Sequence, residues 1–349
     1  MTRIHRLAAS AAVAATALAG ACKESTSPST ADPTAVATAV TSLNSSLSQN
    51  AVFQSLMALS TTGVLAAPAV LPRLVPGARG ASPAAELHLM LRLAGRAGGP
   101  VFALFPTNEL GKTFQWDTAS GGHYRITDST LGGAPGNGVR FILYQVDTAT
   151  LRPRLPLATT GKLDLSDVSN PSSNGLHLLL TVGSQTAADY TVTEAKTTTS
   201  MSLTAVGYVQ DVVTSGPQIT FTLARALTFS DSSLSTDYQA SGNGATVSLQ
   251  TAIGGTAQTE AFDWLLQKQG SVEAVGTSNP DSTNIQIKLN GTAFATVRDV
   301  TGGQTSLTGP GGRPLTIGEL TALESILVGL GQVFLNLSLV FTPSLLFFA

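Results

Sequence analysis

Cysteine is almost missing from this chain: Cys22 is the single one in 349 residues. With no second thiol the body has no intrachain disulfide, so its stability has to come from packing and backbone ladders. Charge is scarce as well. Asp, Glu, Lys and Arg make up 11% of the residues, and 19 basic against 21 acidic groups leave a formal net charge of −2. No Lys/Arg cluster occurs, which removes the electrostatic footprint of a nucleic-acid-binding protein. The hydrophobic set nevertheless reaches 43%, and Gly, Thr, Ser and Ala dominate the remainder. Such a chain is too apolar for a charged disordered protein and too rich in Gly, Thr and Ser for a helical bundle. It reads as an exported β-rich protein.

Arg3 and Arg6 precede an uncharged run from Leu7 to Leu18, long enough for the apolar region of a leader and too short to span a bilayer. Ala19-Gly20-Ala21 then lead into Cys22. This stretch resembles the signal of bacterial lipoproteins, in which the thiol is acylated, the leader is removed before it and Cys22 becomes the first residue. The family pattern has a larger aliphatic residue three places before the cysteine, where this chain has Ala19. A plain secretory leader with an incidental free cysteine is the competing reading. The resemblance implies anchoring through acyl chains, with palmitate among them. At about 0.8 kcal/mol per buried methylene, one chain binds marginally and two or three hold stably. Lys23, not Asp, follows Cys22, which by the same resemblance implies the outer membrane.

Beyond the leader (1–21), the expected organisation is a lipidated Cys22 with a polar tether (22–31), a helical segment with a Pro-rich connector (32–83), and an antiparallel β domain closing with a helix and a strand (84–349). Asp32-Pro33 supplies an N-cap followed by proline at the first helical position. Val36, Val40, Leu43 and Leu47 then mark one face of an amphipathic helix. Asn50 is placed to cap a second short helix carrying Phe53, Leu56 and Met57. Prolines 68, 72, 76 and 83 break up the connector. The alternation of Leu87, Leu89, Leu91 and Leu93 favours a strand, with a helix over 84–96 as competitor.

From Gly111 onward, strand-like runs separated by turn signals describe a mainly β fold: a large antiparallel meander, as a curved sheet, half-barrel or sandwich. Ile219 to Phe229 alternates best, with Arg225 alone interrupting the apolar face and needing a partner or a bend. Gly207 suggests a bend within the long run 201–213, and Asn290-Gly291 reads as a two-residue I′ hairpin turn. Leu320, Leu323, Leu327 and Leu330 pattern a helix over 316–331, and the alternation of Val333, Leu335, Leu337, Leu339 and Phe341 suggests a strand after it. A membrane-spanning helix over 325–349 is long enough, but Gly329, Gly331, Gln332, Asn336 and Pro343 oppose it. An outer-membrane barrel, suggested by the terminal aromatic Phe348, lacks the ten-residue alternation.

The chemistry search returns no catalytic set. Gly111-Lys112-Thr113 lacks the upstream glycine of a phosphate loop, since position 106 is Pro106. His88, His123 and His177 are isolated from any metal-ligand spacing. Asp164, Asp167 and Asn170 offer hard oxygens, but at a spacing that suits turns and caps better than Ca²⁺. No G-x-S-x-G elbow occurs. Trp116, Tyr124, Tyr144 and Trp264 read as core or cross-strand residues. No cofactor and no metal are expected. The function expected is that of a non-catalytic, membrane-anchored envelope lipoprotein binding an apolar or envelope ligand or a protein. The architecture loosely resembles half-barrel envelope lipoproteins that carry lipid. That likeness implies an apolar ligand face of Ile219, Phe221, Leu223, Val247 and Leu249. A structural or adhesive β module is the alternative, and an envelope hydrolase the third.

Overall fold

The computed structural model describes residues 32–48, 50, 52, 90–91, 94, 103–119, 123–126, 132–145, 153–212, 216–254, 259–268, 270–279, 281–300, 305–341 and 343–344. Cys22, the tether, the connector 64–83 and the helix expected over Phe53 to Met57 lie outside the described residues.

The fold is mainly β. Its strands are β1 (Lys112–Asp117), β2 (His123–Arg125), β3 (Gly138–Tyr144), β4 (Thr159–Asp167), β5 (Asn174–Val182), β6 (Gln185–Lys196), β7 (Ser200–Gln210) and β8 (Gln218–Thr228), then β9 (Ser233–Gly242), β10 (Ala245–Gly254), β11 (Thr259–Gln267), β12 (Ser271–Ser278), β13 (Ser282–Leu289), β14 (Thr292–Val300) and β15 (Ser306–Thr308). From β3 to β15 each strand neighbours the next in sequence, the order of an antiparallel meander. β1 departs from it, pairing antiparallel with β2 and parallel with β3. Among the described residues two helices have both ends defined, α1 (Pro33–Ser48) and α2 (Ile317–Ser338).

The described residues divide into two compact units: those within 32–47 and 228–337 form the first, and those within 48–227 and 338–344 the second. In the first unit, β9, β10 and β13 alternate between buried and more exposed residues over most of their length, as the half-apolar sequence requires. The β9–β10 and β13–β14 turns use the residues that positive φ demands. Asn243-Gly244 and Asn290-Gly291 adopt φ of 54°, 68°, 50° and 76°, the I′ geometry that suits the right-handed twist of a hairpin.

α1 starts as its sequence dictates. Thr34 N donates to Asp32 Oδ1 at 2.9 Å, and Val36, Val40, Leu43 and Leu47 are the buried stripe. α2 lies close enough that a Cβ on Gly329 would fall 2.3 Å from Val40 Cγ1. Asn336 Nδ2 donates to Asn44 Oδ1 at 3.2 Å across the same contact. α2 in turn covers the strands. Phe334 stacks on Tyr238 of β9 at 5.1 Å and on Trp264 of β11 at 5.7 Å. Two strand spacings separate those rings, roughly 9.6 Å, so one aromatic ring fills the gap above the middle strand.

The strand expected over 333–341 is corrected. Residues 333–338 continue α2, and Leu339–Phe341 is a turn of 3-10 helix. Val-Phe-Leu-Asn-Leu-Ser-Leu-Val-Phe is apolar at every odd position and, through Phe334 and Val340, at half of the even ones, so it satisfies period 2 and period 3.6 together. The buried set Ile326, Leu330, Phe334, Leu337 and Phe341 has helical spacing. The strand expected over Leu87 to Leu93 is corrected where residues are described: Met90, Leu91 and Ala94 are helical, and Met90 is buried. Leu is an excellent helix former, and alternation built from it alone does not exclude a helix. By length and composition the segment Ile317–Phe341 would also cross a membrane, but 61% of its most apolar stretch is buried inside the protein.

In the second unit the inward residues of β5 to β8 form the core. Tyr190 packs edge-on against Phe221 at 5.6 Å and donates its hydroxyl to Val340 O at 3.2 Å. Arg225, the lone charge on the apolar face of β8, has the partner its position required: its guanidinium lies 4.3 Å from the ring centroid of Phe341. Gly207 is not a bend, because its register with Tyr190 runs on unbroken to Val209 opposite Ala188. The glycine is needed for space: at φ 152°, a Cβ there would meet Asp189 O at 2.2 Å and Tyr190 Cβ at 2.4 Å. Gly207→Ala should therefore lower the stability of the second unit by roughly 2–4 kcal/mol, read as a shift of denaturant midpoint at unchanged slope.

α2 begins with a capping box. Glu319 N donates to Thr316 Oγ1 at 3.3 Å, and Glu319 Oε2 accepts from Thr316 N at 2.8 Å. Arg313 donates to both carboxylate oxygens. The Arg313 guanidinium, with the Thr316 donors, holds the Glu319 carboxyl down at about 2. A lowered value stabilises the fold above the unfolded carboxylate range, and that contribution fades as pH falls from about 4.5 toward 2. Glu319→Gln should cost about 1 kcal/mol at neutral pH, and the difference from the parent should shrink in denaturation curves taken at low pH.

Candidate functional site

The five residues of the expected ligand face are all buried. Ile219, Phe221 and Leu223 share the inward face of β8 in the second unit, and Val247 and Leu249 share that of β10 in the first. The structure does not bring the five together within one unit. Phe221 is in contact with Tyr190. Leu249 stands between Tyr238 and Trp264 in register, the row over which Phe334 sits. At Phe221 and along the Leu249 row the neighbours are apolar side chains of the protein itself.

The opposite faces are polar. In the first unit Ser235, Gln239, Thr246, Gln250, Asp263 and Gln267 are exposed, and in the second Thr220 and Thr222 are. Thr246 Oγ1 donates to Gln267 Oε1 at 3.1 Å across β10 and β11. Hydroxyl and amide groups are presented there with little charge.

The oxygens considered for a hard cation are committed. Arg140 grips Asp164 through Nε and Nη2 at 2.6 and 2.7 Å, a bidentate pair between register partners on β3 and β4. Asp167 accepts from Leu104 N and Ser169 N, and Asn170 Oδ1 accepts from Ser172 N in an Asx turn. Among the described residues no group of three or more His, Cys, Asp or Glu is placed to hold a metal ion. Lys112 and Thr113 lie in β1, so no helix follows Gly111 to receive a phosphate.

His177 is better supported than its isolation in sequence suggests. Its Nε2 lies 2.8 Å from Asp189 Oδ1, and its register partner on β4 is Ser166. Serine stands opposite the imidazole in register, and the carboxylate lies diagonal to it, since Asp189 is itself opposite Leu179; the three make a line across β4, β5 and β6. The line is not built for acyl transfer. The side chains of His177 and Asp189 are 32% and 44% exposed, and no hydrogen bond joins Ser166 to His177. These strands are paired on both sides, so their backbone N–H groups serve the ladders and none is left for an oxyanion.

Trp116 and Tyr124 are cross-strand partners at 5.6 Å, and Tyr124 meets Phe141 at 5.4 Å and donates to Ile142 O. They are core residues, as read from sequence. Two sites were missed. In the first unit Thr236 and Thr251 are register partners with buried hydroxyls lacking a partner, and the Trp264 indole N–H is unpartnered too. In the second unit Glu194 is buried beside Asn174. The signal available in each case was a polar residue at an inward position of an alternating strand.

Comparison with protein-family models, with curated proteins and with solved structures gave no match.

Because an unmet buried hydroxyl carries a desolvation penalty with no return, Thr236→Val or Thr251→Val should be neutral or stabilising by up to about 1 kcal/mol. Thermal unfolding of each variant checks this.

Proposed function

We propose that this chain is a lipid-anchored envelope protein that acts without catalysis, offering the polar side of its sheet to a protein or polymer partner. One observation carries the reading. In each unit the apolar face is filled by the protein's own side chains, while the outward residues are Thr, Ser, Gln and Asp. An apolar ligand would have to displace Phe334 from between Tyr238 and Trp264, forfeiting aromatic burial worth roughly 2–3 kcal/mol per ring. A structural or adhesive role would use the same polar face. Anchoring rests on Cys22 and the run before it, and the outer membrane on Lys23.

Metabolic labelling with palmitate should mark the protein, Cys22→Ala should abolish the label, and the mature chain should begin at residue 22. A label that survives the substitution, or another mature terminus, overturns the anchor. Protein extracted from membranes should carry no stoichiometric lipid beyond that on Cys22. An additional lipid released in equimolar amount would restore the apolar-ligand reading.

A further inference from the structure

We propose that Glu194 is a proton-binding site built into the second unit: it carries a proton in the folded chain, and losing that proton loosens the ends of β5, β6 and β7. This inference does not depend on where the chain is anchored.

The geometry begins with the pattern of β6, where Tyr190, Val192 and Glu194 alternate on the inward face and all are buried. Glu194 is only 2% exposed. Its register partners are Asn174 on β5 and Leu203 on β7. Asn174 Nδ2 donates to Glu194 Oε2 at 2.8 Å. The other oxygen of each side chain, Glu194 Oε1 and Asn174 Oδ1, is buried with no partner. Two unmet acceptors on side chains already joined by one hydrogen bond lack a donor. A proton on Oε1 supplies one, and it removes the charge that burial penalises most.

Among the described residues little surrounds the site that could hold an anion. Asn174 and Leu176 face the site from β5, and Met201 and Leu203 from β7, all uncharged. Of the helical residues directly before β1, Met90, Leu91 and Ala94 are described and apolar. Lys196, two places along β6, is the charge nearest in sequence, and its Nζ donates to Ala94 O at 2.7 Å. Burial pushes the Glu194 carboxyl up, and the Asn174 hydrogen bond and the Lys196 charge pull it back only in part.

The sign follows from linkage. The unfolded carboxyl ionises near 4.5, and the folded one above that. Between those values the folded chain keeps a proton that the unfolded chain releases. Stability contributed by Glu194 is complete below the unfolded value, falls as pH rises through the window, and levels off above the folded value.

The test compares the full chain with Glu194→Gln, an uncharged side chain of the same shape whose amide supplies the donor permanently. Both are unfolded by denaturant at a series of pH values, in a Trp264→Phe background so that Trp116 reports the second unit. Glu109, also held up by burial, titrates in both proteins and cancels in the ratio of their folding constants. That ratio should move about tenfold in favour of Gln for each unit by which the folded value exceeds the unfolded one. A ratio that stays flat from about pH 4 to about pH 9 overturns the proposal. The ¹³C shift of the Glu194 carboxyl carbon in the unsubstituted chain decides independently of whether the variant folds. A midpoint above 4.5 supports the site, and one at or below it overturns the site.

Discussion

A strand that alternates Leu with Thr has one face that water rejects, and in this chain nothing covalent holds that face shut. The wedge of Phe334 between Tyr238 and Trp264 answers the difficulty in the first unit. It explains why α2 is apolar well beyond what a surface helix needs, with Glu324 its last charge. It also explains the small residues on that helix. Gly329 lets α1 approach until Val40 occupies the space of a missing Cβ, so the two helices cover the strands as a close pair. Helix, aromatic wedge and glycine together replace the cross-links that the chain lacks.

Covering the apolar face has a consequence for function. The inward rows hold aromatic side chains of the protein itself, Phe334 in one unit and Tyr190 against Phe221 in the other, which is why the proposed function rests on the outward face. What remains outward is a field of hydroxyl and amide groups with few charges. Recognition by such a surface depends on hydrogen bonds and shape, with little long-range steering.

How much of this was legible in the sequence depended on how local each cause was. Asn290-Gly291 and Asp32-Pro33 carry their conformations in the residues themselves, and both adopt the expected turn and cap. Most strands were legible because Thr and Ser alternate cleanly with Leu, Ile and Val. Where apolar residues dominate both faces, as over 333–341 with Asn336 and Ser338 the polar exceptions, two periods fit equally and tertiary contacts choose the helix. Gly207 was visible as an anomaly, but its cause, the Tyr190 backbone on the neighbouring strand, is not local. The same holds for the partner of Arg225, which lies more than a hundred residues away at Phe341. Candidate chemistry was the least legible part. His177 meets Asp189, and Glu194 meets Asn174, only once strand register is known.

Register itself poses a problem for a meander of this composition. A slip of one residue turns every side chain to the wrong face and is strongly disfavoured. A slip of two restores the faces, and among strands of Thr, Ser, Leu and Val it replaces like with like. Something must penalise it. Arg140 opposite Asp164, and Asn174 opposite Glu194, are register partners whose side chains bond directly across the ladder. After a slip of two, Arg140 would stand opposite Lys162 or Ser166 and Glu194 would lose its amide, leaving buried polar groups unmet at several kcal/mol each by order of magnitude. Buried polar residues of this kind add little net stability, because desolvation offsets most of what their bonds return. Their contribution is to make the wrong pairings worse, which is how a repetitive alternating sequence comes to specify a single arrangement of strands.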